Sequence, residues 1–241
     1  MTTPTYDVAH WSNSLAEPNY QGQMAHTVTV NDRAATRQAI ISAIRNDKND
    51  FIERSDWAAH KNKPVEMTDD WNYTKVAIHH AGRSYSCGPA ALQMQEIQRL
   101  HMEKHRWPDI GYHYAIDCLG NVYEGRDIRF KGSHLDGYNT GAIGIVFLEN
   151  LSAPGDSHDG IGRILSALRD MKLKNDVTIP STQIEGARIL ISILRQMFSI
   201  STLGGHQEFP KQNSFEARLC PGTHGMKLVN DMRTWSGLAR P

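Results

Sequence analysis

The sequence predicts an α/β fold, a mixed central β-sheet flanked by helices. Three observations carry this reading. Lys75–His80 (KVAIHH) and Ala142–Leu148 (AIGIVFL) are short apolar, β-branched runs of the kind that form strands buried on both faces. HYAIDC and NVYEG read as two more strands, joined by a tight turn at Leu119, Gly120 and Asn121. From Gln183 the period changes to that of a helix, with Ile184, Ala187, Ile191, Leu194 and Phe198 along one face.

The elements follow in order. Residues 1–50 open on a polar stretch containing proline and asparagine, then a helix over Ala34–Ile44 and a solvated NDKND turn. They are expected to form an N-terminal extension of unknown role, packed as an arm on a main domain over residues 51–241. In KVAIHH, period-two alternation puts Ala77 and His79 on one side and His80 on the other. A helix starting near Pro89 is expected to turn Leu92, Ile97 and Leu100 toward the core and to carry His101 and His105 on one face. The stretch from Leu148 to Gly205 is long. It reads as a loop (SAPGDSHDG), a short helix over Ile161–Leu173 and then the strong helix, whose start resembles a capping box of Thr182 and Glu185. An insert near residues 151–180 is expected.

Composition narrows the function classes. Lys and Arg together number 26, as do Asp and Glu, so no overall field favours nucleic acid or an anionic membrane. The longest apolar run, ILISIL, is flanked by Arg188 and Arg195 and falls far short of the roughly 20 residues a membrane span needs. The first residues lack a basic n-region and an apolar h-region, so a conventional secretory signal is not expected. With only three cysteines, a fold built on disulfides is not expected either.

Chemistry centres on His79, His206 and Cys220. Two imidazoles and a thiolate make a plausible three-ligand zinc site with the fourth position open for water or substrate. Taken singly, His79 reads more readily as a core histidine, and His206 could be a loop histidine. The surroundings are more specific. The segments HHAG, LHMEKHRW, DIGYHYAI, LGNVYEGRD, KGSHLDGYNTGAIGIVFL, GGHQEF and CPG, in this order, closely resemble the peptidoglycan recognition protein and type 2 N-acetylmuramoyl-L-alanine amidase family, which includes small amidase lysozymes of phages. The resemblance begins near Phe51, where FIERSDWAA is similar to the family's opening motif, and runs to the C-terminus.

The resemblance implies a zinc-amidase domain with His79, His206 and Cys220 as metal ligands, Tyr112 as the catalytic tyrosine and Arg218 near the developing oxyanion. His101, His105, His134 and Asn139 would line the substrate groove, with Trp107 and Arg83 at its rim. His80 would be a supporting histidine. Glu124 could serve as a general base, although its matching position is mostly structural, and Asn139 could instead set a turn. Cys220 discriminates within the family, because members that bind without cutting usually carry serine there, a poor zinc ligand. Three departures stand out. Arg218 replaces the usual lysine or threonine and stays charged, so it cannot donate a proton in catalysis. The interval from His206 to Cys220 is longer than usual, so part of PKQNSFEA must loop out. Gln93 stands where animal members place a second cysteine, which points to a bacterial or phage relative.

The function expected is zinc-dependent hydrolysis of the amide between N-acetylmuramic acid and L-alanine, by a phage endolysin or a secreted antibacterial effector. The alternative is a peptidoglycan-binding module that does not cut. Peptidoglycan or muropeptides are the expected ligands, and an immunity or regulatory protein is a further expected partner. Synthesis in the cytoplasm and action in the periplasm or cell wall, after lysis or signal-independent delivery, would reconcile the substrate with the missing signal.

Overall fold

The strands KVAIHH and AIGIVF lie side by side at the centre of the sheet, in parallel, from Lys75 opposite Ala142 to His80 opposite Phe147. The structure is a computed structural model describing residues 5–9, 25–29, 32–47, 49–82, 87–153, 156, 178–212, 214 and 219–241. Its strands are β1 (Thr5–Ala9), β2 (Ala25–Thr29), β3 (Phe51–Ile52), β4 (Lys75–His80), β5 (Tyr114–Ile116), β6 (Val122–Glu124), β7 (Ala142–Phe147) and β8 (Thr202–Gly205). Its helices are α1 (Asp32–Asn46), α2 (Ala90–Glu103), α3 (Ser181–Met197) and α4 (Gly222–Ser236). No helix among the described residues is long and apolar enough to cross a membrane.

Six strands form one sheet in the order β3-β6-β5-β7-β4-β8, while β1 and β2 pair separately and antiparallel. Only β5 and β6 run antiparallel within the large sheet, because a short turn joins them; every other pair is parallel. The mixed sheet flanked by helices is the fold class the sequence predicts.

Alternation along the central strands sorts the two faces. Val76, Ile78, Ile143, Ile145 and Phe147 face a core shared with α1, α3 and α4, including Ile41, Leu190, Leu194 and Val229. On the other face Val146 and Ala115 pack with Met94 of α2, while Ala77 packs with Leu135 and Phe209. His79 therefore emerges on the α2 face, two residues on from Ala77.

Helix α1 contributes to the main core. Ile40, Ile41 and Ile44 of α1 are at most 1% exposed. Arg37 grips Glu124 with two bonds of 2.6 Å and reaches Glu53 at 3.2 Å. This ties α1 to the end of β6.

Three expectations need correction, and one covalent bond was not anticipated. Leu92 is 60% exposed, and the buried face of α2 is Ala90, Gln93, Met94, Gln98 and His101. That face is polar in part because Gln98 bonds the backbone of His60 and the carboxylate of Asp109. The capping box of α3 does not form: Pro180 takes the N-cap position without a side-chain cap, and the Thr182 hydroxyl donates instead to the Cys118 carbonyl at 2.6 Å. Cys87 and Cys118 form a disulfide joining the approach to α2 with the β5–β6 turn. His105 follows the last turn of α2 rather than lying on its face. The helix expected over Ile161–Leu173 lies outside the described residues.

Candidate metal centre and groove

Strand register assembles the centre. Ile78 of β4 is paired in parallel with Gly205 of β8, so the next residues, His79 and His206, leave adjacent strand ends together. Their ring centroids are 4.5 Å apart. Cys220 comes from the turn into α4. A Cβ on Gly205 would collide with Pro221 and Met226, so glycine is what lets that turn approach β8.

One ligand atom from each of His79, His206 and Cys220 lies within 4.8 Å of the other two. Cys220 Sγ is 3.7 Å from His79 Nδ1. Tetrahedral zinc with bonds near 2.0–2.1 Å to nitrogen and 2.3 Å to sulfur would hold the two about 3.6 Å apart. Burial, and then the nearby His206 and His134 imidazoles, hold His79 well below the ordinary histidine pKa, and burial lowers His206. Both rings are therefore neutral and keep a lone pair. Burial pushes the Cys220 thiol up to about 12, so capture of a cation there must release its proton. The three donors fit a zinc ion in distance and chemistry.

His134 stands behind His79. Its Nε2 is 3.3 Å from the Ala142 carbonyl, which can only accept, so that nitrogen carries the proton and Nδ1 has the lone pair. His79 Nε2, 3.1 Å from that lone pair, is then the donor, which leaves His79 Nδ1 free toward Cys220. Gly132 and Gly144 make the slot for His134, since a Cβ on either would strike its ring.

The groove above these residues has a volume of about 830 Å³ and includes His101, His105, Trp107 and Tyr112 in its wall. The Tyr112 ring lies 4.9 Å from that of His79 and 5.3 Å from that of His101. His101 Nδ1 accepts the Gly111 N–H at 2.9 Å, which leaves the proton on Nε2. His105 stacks on Trp107 at 4.8 Å. Asn139 borders the groove, but its Oδ1 accepts the N–H groups of His134 and Leu135 at 2.7 and 2.9 Å, closing a turn. His80 accepts the Leu151 N–H at 3.0 Å and also borders the groove.

A family model described as N-acetylmuramoyl-L-alanine amidase matches residues 68–223. The chain belongs to the peptidoglycan recognition protein and type 2 amidase family. It is similar to peptidoglycan-recognition protein SC2 of Drosophila melanogaster, with 34% identity over 77% of this chain and 86% of that protein. A mouse N-acetylmuramoyl-L-alanine amidase is 28% identical over 42% of this chain and 19% of its own length. Among solved structures, Drosophila peptidoglycan recognition protein SD matches with TM-score 0.59 and 22% identity, covering 79% of this chain and 97% of that one. Peptidoglycan recognition protein LE in complex with tracheal cytotoxin matches with TM-score 0.57 and 23% identity, covering 78% and 95%. Membership supports peptidoglycan binding or amide hydrolysis, and the family's amidases are zinc-dependent.

In this family member the structure brings His206, Cys220, Tyr112, His101, His105 and Trp107 to one groove, with His79 fully buried beneath it against the rings of His206 and Tyr112. His134 and Asn139 lie at its edge with their polar atoms engaged in protein contacts. Glu124, weighed as a general base, is 2% exposed and bound to Arg37, which is a structural pairing. Arg83 and Arg218 lie outside the described residues. Sequence reading missed Gln212, which contacts His206; its one signal was the unusual length of the interval that contains it.

Proposed function

We propose that this family member is a zinc-dependent N-acetylmuramoyl-L-alanine amidase, adding water across the amide between the lactyl group of N-acetylmuramic acid and L-alanine. The carrying observation is the convergence of the His79, His206 and Cys220 donors on the groove, with sulfur rather than a serine hydroxyl in the third place. Zinc bound there would polarise the scissile carbonyl and supply an activated water. The chain's own groups do the rest. Tyr112, beside His79, donates its phenolic proton in a hydrogen bond to the developing oxyanion. Arg218, two positions before Cys220 in the sequence, would add positive charge to the same oxygen, as the family resemblance implies. His101, with its Nε2 proton available, and the stacked His105 and Trp107 orient the muramyl group and stem peptide along the wall. The leaving amine takes the proton that the water loses.

The ligand class is supported by peptidoglycan recognition protein LE, solved with tracheal cytotoxin, a monomeric diaminopimelic acid-type peptidoglycan. The Cys87–Cys118 bond supports action outside a reducing cytosol, in a periplasm or cell wall. A lytic, antibacterial role and a bacterial or phage source form part of the same proposal. Gln93 in place of the animal pattern's second cysteine, and Cys87 bonded elsewhere, support that source. An immunity or regulatory partner would be sought on residues 151–180 and on the N-terminal segment.

Purified sacculi would be digested with the wild-type protein and with Cys220→Ser, each with and without a chelator, and the products weighed by mass spectrometry. Free stem peptides with L-alanine amino termini from wild type alone, abolished by the chelator, are expected. Zinc-loaded wild type that binds sacculi and releases nothing would make this a recognition module.

A further inference from the structure

Gln212 lies in the segment between His206 and Cys220 that is longer than the family's usual interval, and it is 6% exposed. Its amide oxygen accepts the Asp136 N–H at 3.0 Å, and its amide nitrogen donates to the carbonyls of Asp136 and Pro210 at 3.0 and 2.9 Å. An N–H can only donate and a carbonyl only accept, so these backbone groups permit one orientation of the amide. The same oxygen is 3.0 Å from His206 Nε2. Facing an acceptor, His206 Nε2 must carry the ring proton, and the lone pair is on Nδ1.

We propose that Gln212 is a positioning residue: it presets His206 as an Nδ1 ligand and fastens the 134–139 loop to the metal centre. A hydrogen bond to the second nitrogen of a ligating histidine fixes the ring's tautomer and orientation and raises its basicity. His134 serves His79 in the same way from the other side. The two supports are linked, because the backbone Gln212 holds, at Asp136, is two residues from His134. This inference rests on the metal reading proposed above.

The test is the zinc dissociation constant, by competition with a chromophoric chelator, for wild type, Gln212→Leu and Gln212→Glu. Leucine removes the acceptor and should weaken zinc roughly 10- to 100-fold. Glutamate keeps an acceptor for His206 and for the Asp136 N–H but cannot donate to the two carbonyls. It should therefore recover most of the zinc affinity, while the zinc-free forms of both variants melt below wild type. Equal affinities for wild type and Gln212→Leu, or a glutamate variant as weak as leucine, would overturn the proposal. Should the variants not fold, ¹⁵N ring spectra of the zinc-free wild type decide: Nε2–H on His206 supports it and Nδ1–H overturns it. Wild type that binds no zinc would overturn the metal reading as well, a result distinct from tight and equal binding by wild type and leucine variant.

Discussion

His79 and Cys220 are 141 positions apart, yet Cys220 Sγ sits 3.7 Å from His79 Nδ1. One side chain lies near the end of a central strand and the other in the turn into the last helix. Their meeting, with His206 alongside, makes the groove chemically competent for a metal, and several outcomes depend on it.

Zinc should stabilise the wild-type protein against heat and leave Cys220→Ser almost unaffected. At free zinc about 100 times the dissociation constant, linkage stabilises the fold by ~2.7 kcal/mol, or roughly 5–10 °C for a chain of this size. Differential scanning calorimetry with and without zinc measures this. Equal shifts in both proteins would remove Cys220 from the ligand set.

Replacing Tyr112 with phenylalanine should lower kcat by roughly 100-fold, the usual cost of losing one donor to a developing oxyanion. The ring's packing against His79 and His101 is retained, so zinc affinity should not change. Steady-state kinetics on a soluble muropeptide, paired with chelator competition, separates the two effects. A variant as fast as wild type would leave Tyr112 a packing residue.

Acid should destabilise the fold below about pH 6.5, in part through His101 and His113. Burial lowers both from 6.5 to about 3, and each has Nδ1 accepting a backbone N–H, from Gly111 and Gly144 respectively. Their folded pKa values are depressed, so their stabilising contribution is complete above 6.5. Below it the unfolded chain takes up protons that the folded one refuses, and the contribution is lost as pH falls toward 3, at up to ~1.4 kcal/mol per pH unit for each. Chemical denaturation of zinc-free protein at pH 7, 6 and 5 should show this decline, and a smaller one in His113→Gln. A flat profile would contradict it.

Arg37→Ala should destabilise the protein by about 3–5 kcal/mol, because it removes one partner of a pair in which Glu124 is 2% exposed. Adding Glu124→Gln should restore part of the loss. If that double variant also retains its specific activity on sacculi, Glu124 is structural and not a general base. A stability change below about 1 kcal/mol would mean that the Arg37–Glu124 pair does little to anchor α1.

The parts of this molecule that were legible in its sequence are those governed by local period and by motif. KVAIHH and AIGIVF announce two central strands through continuous apolar, β-branched character, and the alternation within the first puts His79 on the side of Ala77. The long helix over Ser181–Met197 shows its apolar face directly. Motif order named the residues that now meet at the groove, from His79 to Cys220. Where α2 faces was not legible, because its inner side bears Gln93 and Gln98, polar residues that periodicity reads as outward.

Tertiary structure alone decided the contacts between distant polar groups. Thr182 reads as a cap for its own helix but finds the Cys118 carbonyl, and Cys87 is bonded to Cys118, 31 positions away. Arg37, Glu124, His134 and Gln212 each find a partner far along the chain or in another segment, and no periodicity encodes that choice. The physical reason is that hydrophobic pattern is a property of neighbours along the chain. Which lone pair meets which proton depends on strand register, such as Ile78 opposite Gly205, and on burial, which makes an unpaired polar atom costly.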